Sequence, residues 1–177
     1  TACHGWLWRP NADYNEVDTE RRDLIRASAA IKAATGQKPV GFFCRGSESS
    51  WTRQLLASEG YFYTSNAFDD DLPYHDNSGL IVVPYNLDTN DMKFFHPNGF
   101  VRSAEMVEYV CDAVEQLMYE ARAGKSSTLS IGFHLRISGR PARFRAVTKI
   151  LEYLADLDAQ IWRARRIDIA RHFAAVC

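Results

Sequence analysis

The chain has 177 residues. Of these, 46% are hydrophobic, and 21 Lys and Arg stand against 22 Asp and Glu for a formal net charge of −1. This is apolar material enough for a buried core, and the balanced charge offers no basic field to nucleic acid. Apolar runs are short and broken by charged residues, which leaves no segment for a membrane span, and no signal peptide is expected.

The sequence opens Thr1-Ala2-Cys3-His4-Gly5-Trp6-Leu7-Trp8. A short apolar run leading into His-Gly is the pattern by which a strand end delivers a histidine to the rim of an α/β sheet, where ligands bind. Residues 18–35 are rich in Ala, Arg and Ile at helical spacing, with Asp18 or Thr19 able to cap the start and Gly36 and Pro39 to stop it. Val40 to Cys44 reads as a buried strand ending at Arg45, and a short helix is predicted from Trp51 to Ser58. Tyr61 to Ser65 and Leu80 to Tyr85 read as strands, separated by the acidic loop Asp69-Asp70-Asp71-Leu72-Pro73-Tyr74. Residues 103–123 give the longest predicted helix, with Met106, Val107, Val110, Val114, Leu117 and Met118 on one face. Thr128 to His134 reads as a strand that delivers His134, and Pro141 opens a helix reaching Asp156. Ile161 to Arg165 reads as a last strand and residues 168–175 as a closing helix.

Alternating helical and extended segments predict an α/β architecture with a largely parallel sheet. No repeat or linker interrupts it, so a single domain is expected. Cysteines 3, 44, 111 and 177 lack any C-x-x-C spacing and read as reduced thiols of a cytoplasmic protein. Cys44 reads as a small core residue, with a place in the pocket beside Arg45 as the alternative.

Seven blocks recur in a recognisable order: Thr1 to Trp6, Gly36 to Phe42, Phe68 to Tyr74, Val83 to Met92, Leu129 to Arg136, Gly139 to Arg143, and Ile169 to His172. The series resembles the polysaccharide deacetylase (NodB-homology) superfamily, and most closely its metal-independent allantoinase-like branch, associated with uric-acid degradation. The resemblance implies an irregular (β/α)7-type barrel in which residues 1–177 form the C-terminal part. About five strands are legible against roughly seven in such a barrel. The family's first catalytic motif, Asp-Asp in deacetylases and Glu-Glu-Gly in the allantoinase-like branch, does not occur before His4. The N-terminal strands and a carboxylate base are therefore expected from elsewhere. Their source would be a removed segment or a chain carrying the missing strands in a homo- or hetero-oligomer.

The resemblance implies catalytic roles for His4 and His134. In the deacetylases two histidines four residues apart hold a metal with a carboxylate. Here position 8 is Trp, whose indole has no lone pair for a metal. No cofactor is expected, the alternative being a weakly held zinc at His4. His4 then orients or protonates substrate, and Trp8 supplies a flat wall for a planar heterocycle. A structural His-Gly turn is the competing reading. His134 matches the histidine that serves the family as general acid towards a leaving nitrogen; a hydrogen-bonded histidine at a strand end competes with it.

Arg136 shares the side of His134 if that strand continues. It either holds a substrate carbonyl or carboxylate or pairs with Asp69 to Asp71. Arg45, Asp70, Asp71, Tyr74 and Asp91 complete the expected substrate-binding set, while turn formation explains Asp88, Asn90 and Asp91 equally well. His75, His96 and His172 read as surface or structural. The expected activity is hydrolysis of a non-peptide C–N bond in a cyclic amide or ureide. N-deacetylation of an amino sugar or related acetamide is the alternative, as is a non-catalytic subunit that completes a partner's barrel.

Overall fold

The computed structural model describes residues 1–177. In chain order its elements are α1 (Val17–Thr35), β1 (Gly41–Phe42), α2 (Thr52–Ser58), β2 (Tyr63–Thr64), β3 (Tyr74–His75) and β4 (Ile81–Val82). There follow α3 (Ser103–Ala121), α4 (Leu135–Ser138), α5 (Pro141–Asp156) and α6 (Arg166–Val176), with short 3-10 turns at Asn11–Asp13, Asp91–Phe95 and Asp158–Gln160. The chain divides into two compact units, residues 1–84 with 164–177, and residues 85–163.

In the first unit the sheet runs β1-β2-β4-β3, the first three strands parallel and β3 antiparallel to β4. Cys3 adds a single parallel bridge to Phe42. A parallel sheet must be covered on both faces, and this one is. Phe42, Leu55, Leu56, Tyr61 and Leu80 pack with Leu24 and Ala27 of α1, while Tyr63, Ile81 and Val83 pack against Ala170 of α6. Full burial of a side chain such as Phe42, Leu56 or Ile81 contributes about 1.5–3 kcal/mol each. Gly41 is required by close approach, since a Cβ there would lie 2.0 Å from the Tyr63 ring. Gly36, at φ +76, makes the left-handed turn that ends α1, and its amide closes on the Lys32 carbonyl.

One buried carboxylate ties three segments of this unit together. Glu20, 2% exposed, accepts from Asn11 Nδ2 (2.9 Å), Thr52 Oγ1 (2.5 Å) and Ser49 Oγ (2.5 Å). A buried carboxylate is tolerable only when donors surround it in this way.

In the second unit Met106, Val110 and Val114 of α3, on the face the sequence predicts, meet Ala146 and Ile150 of α5 beside Phe100. Pro141 takes the first turn of α5, where its missing N–H costs nothing.

The strands depart from the expectation. Each holds two residues, shorter than the predicted segments, although single bonds extend the pairing, such as Ser65 N to Phe42 O and Val83 N to Thr64 O (both 2.9 Å). Thr128 to His134 makes one parallel bridge, Gly132 with Asn90, and no strand. Ile161 to Arg165 is a connector: the Arg163 guanidinium turns back to the carbonyls of Leu154 (2.8 Å) and Ala155 (3.2 Å), capping α5 where a cation is favoured. β3, in contrast, forms where the sequence suggests only loop.

Candidate functional site

In the first unit the backbone of Cys3 is held beside β1, its amide donating to Gly41 (2.8 Å) and its carbonyl accepting from Phe43 (3.0 Å). His4 therefore emerges at a sheet rim. Its ring stacks on Phe43, with centroids 5.5 Å apart and planes within 14°, and Nδ1 hydrogen-bonds the Phe43 carbonyl. A carbonyl can only accept, so Nδ1 carries the hydrogen and the lone pair is left to Nε2.

Gly5, at φ +81, turns the chain into Trp6-Leu7-Trp8. Trp8 is 60% exposed, and the Arg45 guanidinium lies 4.4 Å over its ring. Such a cation–π pair places a guanidinium on an exposed indole. Trp6 is engaged likewise by Arg26, also at 4.4 Å.

Arg45 stands on a backbone fixed from both sides by one amide. Asn66 accepts from the Cys44 N–H (2.7 Å) and donates to the carbonyls of Cys44 (3.2 Å) and Gly46 (3.3 Å), in the manner of a missing strand neighbour. Asn66 leaves no mark in the sequence, because its role is contact with a segment 22 residues away. Cys44 is buried, and desolvation pushes its thiol up to about 12, which makes it an inert core residue.

In the acidic loop, Asp70 turns its carboxylate onto the amides of Asp71 (2.7 Å) and Leu72 (3.0 Å), shaping the turn that carries it. The Tyr74 hydroxyl donates to Asp69 (3.2 Å); partial burial and the Asp69 charge both raise its pKa. Asp71 is exposed.

In the second unit His134 and Asp91 form a close pair. Asp91 is wholly enclosed; its Oδ1 lies 2.6 Å from His134 Nδ1, and its Oδ2 accepts from the His134 amide (2.7 Å) and from Ser138 Oγ (2.6 Å). With Nδ1–H bound to a carboxylate, the lone pair of a neutral, half-buried imidazole lies on Nε2. Asp91 was expected to touch substrate, but it is wholly enclosed and its carboxylate is taken up by His134 and Ser138.

Asp91 is itself placed by backbone. Its amide donates to Gly132 O (2.9 Å), and the Gly132 amide donates to Thr89 O (3.2 Å). Beside them Asn90 Nδ2 donates to the Tyr85 hydroxyl (2.7 Å), and Asn90 Oδ1 accepts from Met92 N (2.8 Å). The expected alternation of Arg136 with His134 fails because α4 begins directly after His134. The exposed Arg136 guanidinium instead lies 3.9 Å from Met92 Sδ.

No protein-family model matches the chain. A Schizosaccharomyces pombe (strain 972) protein named as a polysaccharide deacetylase is 34% identical over 191 residues, spanning 97% of this chain. A crystal structure of a polysaccharide deacetylase-type protein from Pseudomonas aeruginosa PAO1 superposes at TM-score 0.90, with 38% identity over 99% of this chain. The chain belongs to the polysaccharide deacetylase family. The crystal structure of PuuE allantoinase is as similar to this family member, at TM-score 0.89 and 38% identity over 99% of the chain. The chain spans 58% of the length of the yeast relative and 59% of each of those two structures.

His4 Nε2 is one possible ligand, Trp8 offers none, and no three His, Cys, Asp or Glu side chains come together in a metal-binding group. No helix is long and apolar enough to cross a membrane.

Proposed function

We propose that this protein hydrolyses a C–N bond other than a peptide bond, in a cyclic amide or ureide. The observation that carries the reading is the Asp91–His134 pair, an imidazole held by a buried carboxylate at 2.6 Å with Nε2 left for proton transfer. In the proposed reaction water adds to a ring carbonyl, a C–O bond forms, and the C–N bond breaks as His134, acting as the imidazolium with both ring nitrogens protonated, delivers its Nε2 proton to the departing nitrogen and is left as the Nδ1–H imidazole. The proton from water goes to a carboxylate of the family's first motif, neither form of which occurs before His4. The (β/α)7 barrel belongs to the same proposal.

N-deacetylation of an amino sugar is the second reading, favoured by the names of the yeast and Pseudomonas relatives. Trp8 in place of a second histidine weighs against the metal-dependent version of it. The two readings separate in one experiment. The protein is assayed on a five-membered cyclic ureide and on an N-acetylated amino-sugar oligomer, with and without chelator, and its zinc content is measured. Ring opening that persists in chelator, with substoichiometric zinc, is the expected result. Full zinc occupancy with chelator-sensitive release of acetate would replace the first reading by the second.

A further inference from the structure

Because Asp91 is fully enclosed, its acceptor positions can be met only from within the protein. Three donors meet them, and two belong to His134 itself: the ring Nδ1–H on Oδ1 and the backbone amide on Oδ2. The third is the hydroxyl of Ser138, 3% exposed, at 2.6 Å from Oδ2. Ser138 lies four residues after His134, and its amide, with that of Ile137, bonds the His134 carbonyl (2.9 and 2.8 Å). The carboxylate therefore spans both ends of one turn of chain. Without the hydroxyl, Oδ2 would keep only the His134 amide, and nothing else on that oxygen would resist rotation about Cβ–Cγ.

We propose that Ser138 is a positioning residue for His134: its buried hydroxyl locks the Asp91 carboxylate in the orientation that holds the imidazole in its Nδ1–H form, with Nε2 facing outward. The functional meaning of this lock rests on the reading of His134 as a general acid, but the lock itself does not. The sequence offers a single trace of it, a serine four residues past a candidate catalytic histidine.

The test is nitrogen NMR of the imidazoles in the 177-residue chain, comparing wild type with Ser138→Ala and Ser138→Thr. In the wild type, neutral His134 should show one tautomer, with Nδ1 protonated and Nε2 pyridine-like. Ser138→Ala should average the two ring-nitrogen shifts and speed exchange of the Nδ1 proton with water about tenfold, the factor expected for losing one charge-assisted hydrogen bond. Ser138→Thr, which keeps the hydroxyl, should restore the single tautomer. If the Ala variant does not fold, Ser138→Cys is read in its place, its weaker donor giving an intermediate shift and rate. A single Nδ1–H tautomer with the wild-type exchange rate in the Ala or Cys variant overturns the proposal. On any substrate the protein turns over, Ser138→Ala should lower kcat about tenfold while KM changes by less than about twofold. The tautomer result, with no C–N hydrolysis even by a protein that also carries the family's first motif, would sink the proposed function and leave the role of Ser138 standing.

Discussion

Gly132 is the residue whose replacement says most about how the His134 pair is assembled. A Cβ at this position would lie 2.3 Å from the Tyr85 hydroxyl and 2.4 Å from Asn90 Nδ2, so a methyl group needs each neighbour to recede by about 1 Å. Asn90 cannot give cheaply: it is 5% exposed and held by Tyr85 on one side and the Met92 amide on the other. Overpacking costs about 1–3 kcal/mol, and loss of the Tyr85–Asn90 hydrogen bond adds about 1 kcal/mol. Gly132→Ala should therefore destabilise by about 2–4 kcal/mol, a fall in Tm of about 4–16 °C for a chain of this size. Gly132 also fixes the Asp91 amide through its carbonyl, so a displacement of about 1 Å there should lower turnover about a hundredfold. Thermal unfolding followed by circular dichroism measures the first effect, and kcat the second. Adding Tyr85→Phe removes the tighter contact and should recover part of the lost stability. A Gly132→Ala protein that melts within a degree or two of wild type would refute the packing argument.

His134→Ala should reduce turnover by about 10²–10⁴-fold with little change in Tm; an equal loss of folding stability would point to a structural histidine. Glu20→Gln sets an amide N–H among the donors Asn11, Ser49 and Thr52, so it should cost about 1–3 kcal/mol, read from urea denaturation. Cys44, buried and with its thiol pushed up to about 12, should not react with a disulfide reagent at pH 8 in the native state, whereas the exposed Cys177 should react at once; rapid modification of both disproves it. Burial raises the Glu48 carboxyl above its ordinary 4.5 even though Arg53 lies 2.8 Å away. The fold then binds that proton more tightly than the unfolded chain does, so this group's contribution to stability falls as pH rises from 4.5 towards the folded-state value. Glu48→Gln should flatten that part of the stability profile, and an unchanged slope would count against the assignment.

Helices were the most legible part of this sequence, because each carries its own evidence. Gly36 ends α1, Pro141 opens α5, and the 3.6-residue spacing of Met106, Val110 and Val114 marks the buried face of α3. Strands depend on partners far away in the chain, and there the reading failed. Leu129 to His134 has the apolar run of a strand but makes a β-bridge only at Gly132, and Ile161 to Arg165 makes no β-bridge. At the site, His134 and Asp91 could be picked out by residue type and by resemblance. Their relation could not, since 43 residues separate them. Asn66 and Ser138 carry no chemistry of their own and act through geometry alone, which leaves almost no mark in a single sequence.

The segment from His4 to Pro10 is anchored to backbone at its two ends and held between them by side-chain contacts. Upstream, Cys3 is fixed to Gly41 and Phe43; downstream, Asn11 is fastened to Glu20, and the Ala12 amide to the Ser47 carbonyl at 3.1 Å. Trp6, Leu7 and Trp8 lie between these fastenings with 40–60% of their surface in water. Residues in such a span can be exchanged with little penalty to folding, because the core contacts belong to its ends. Selection for a new substrate has here a stretch of chain on which to act one residue at a time, while the fold that presents His4 stays as it is. Libraries aimed at altered specificity should begin at Leu7 and Trp8, just past the Thr1 to Trp6 block.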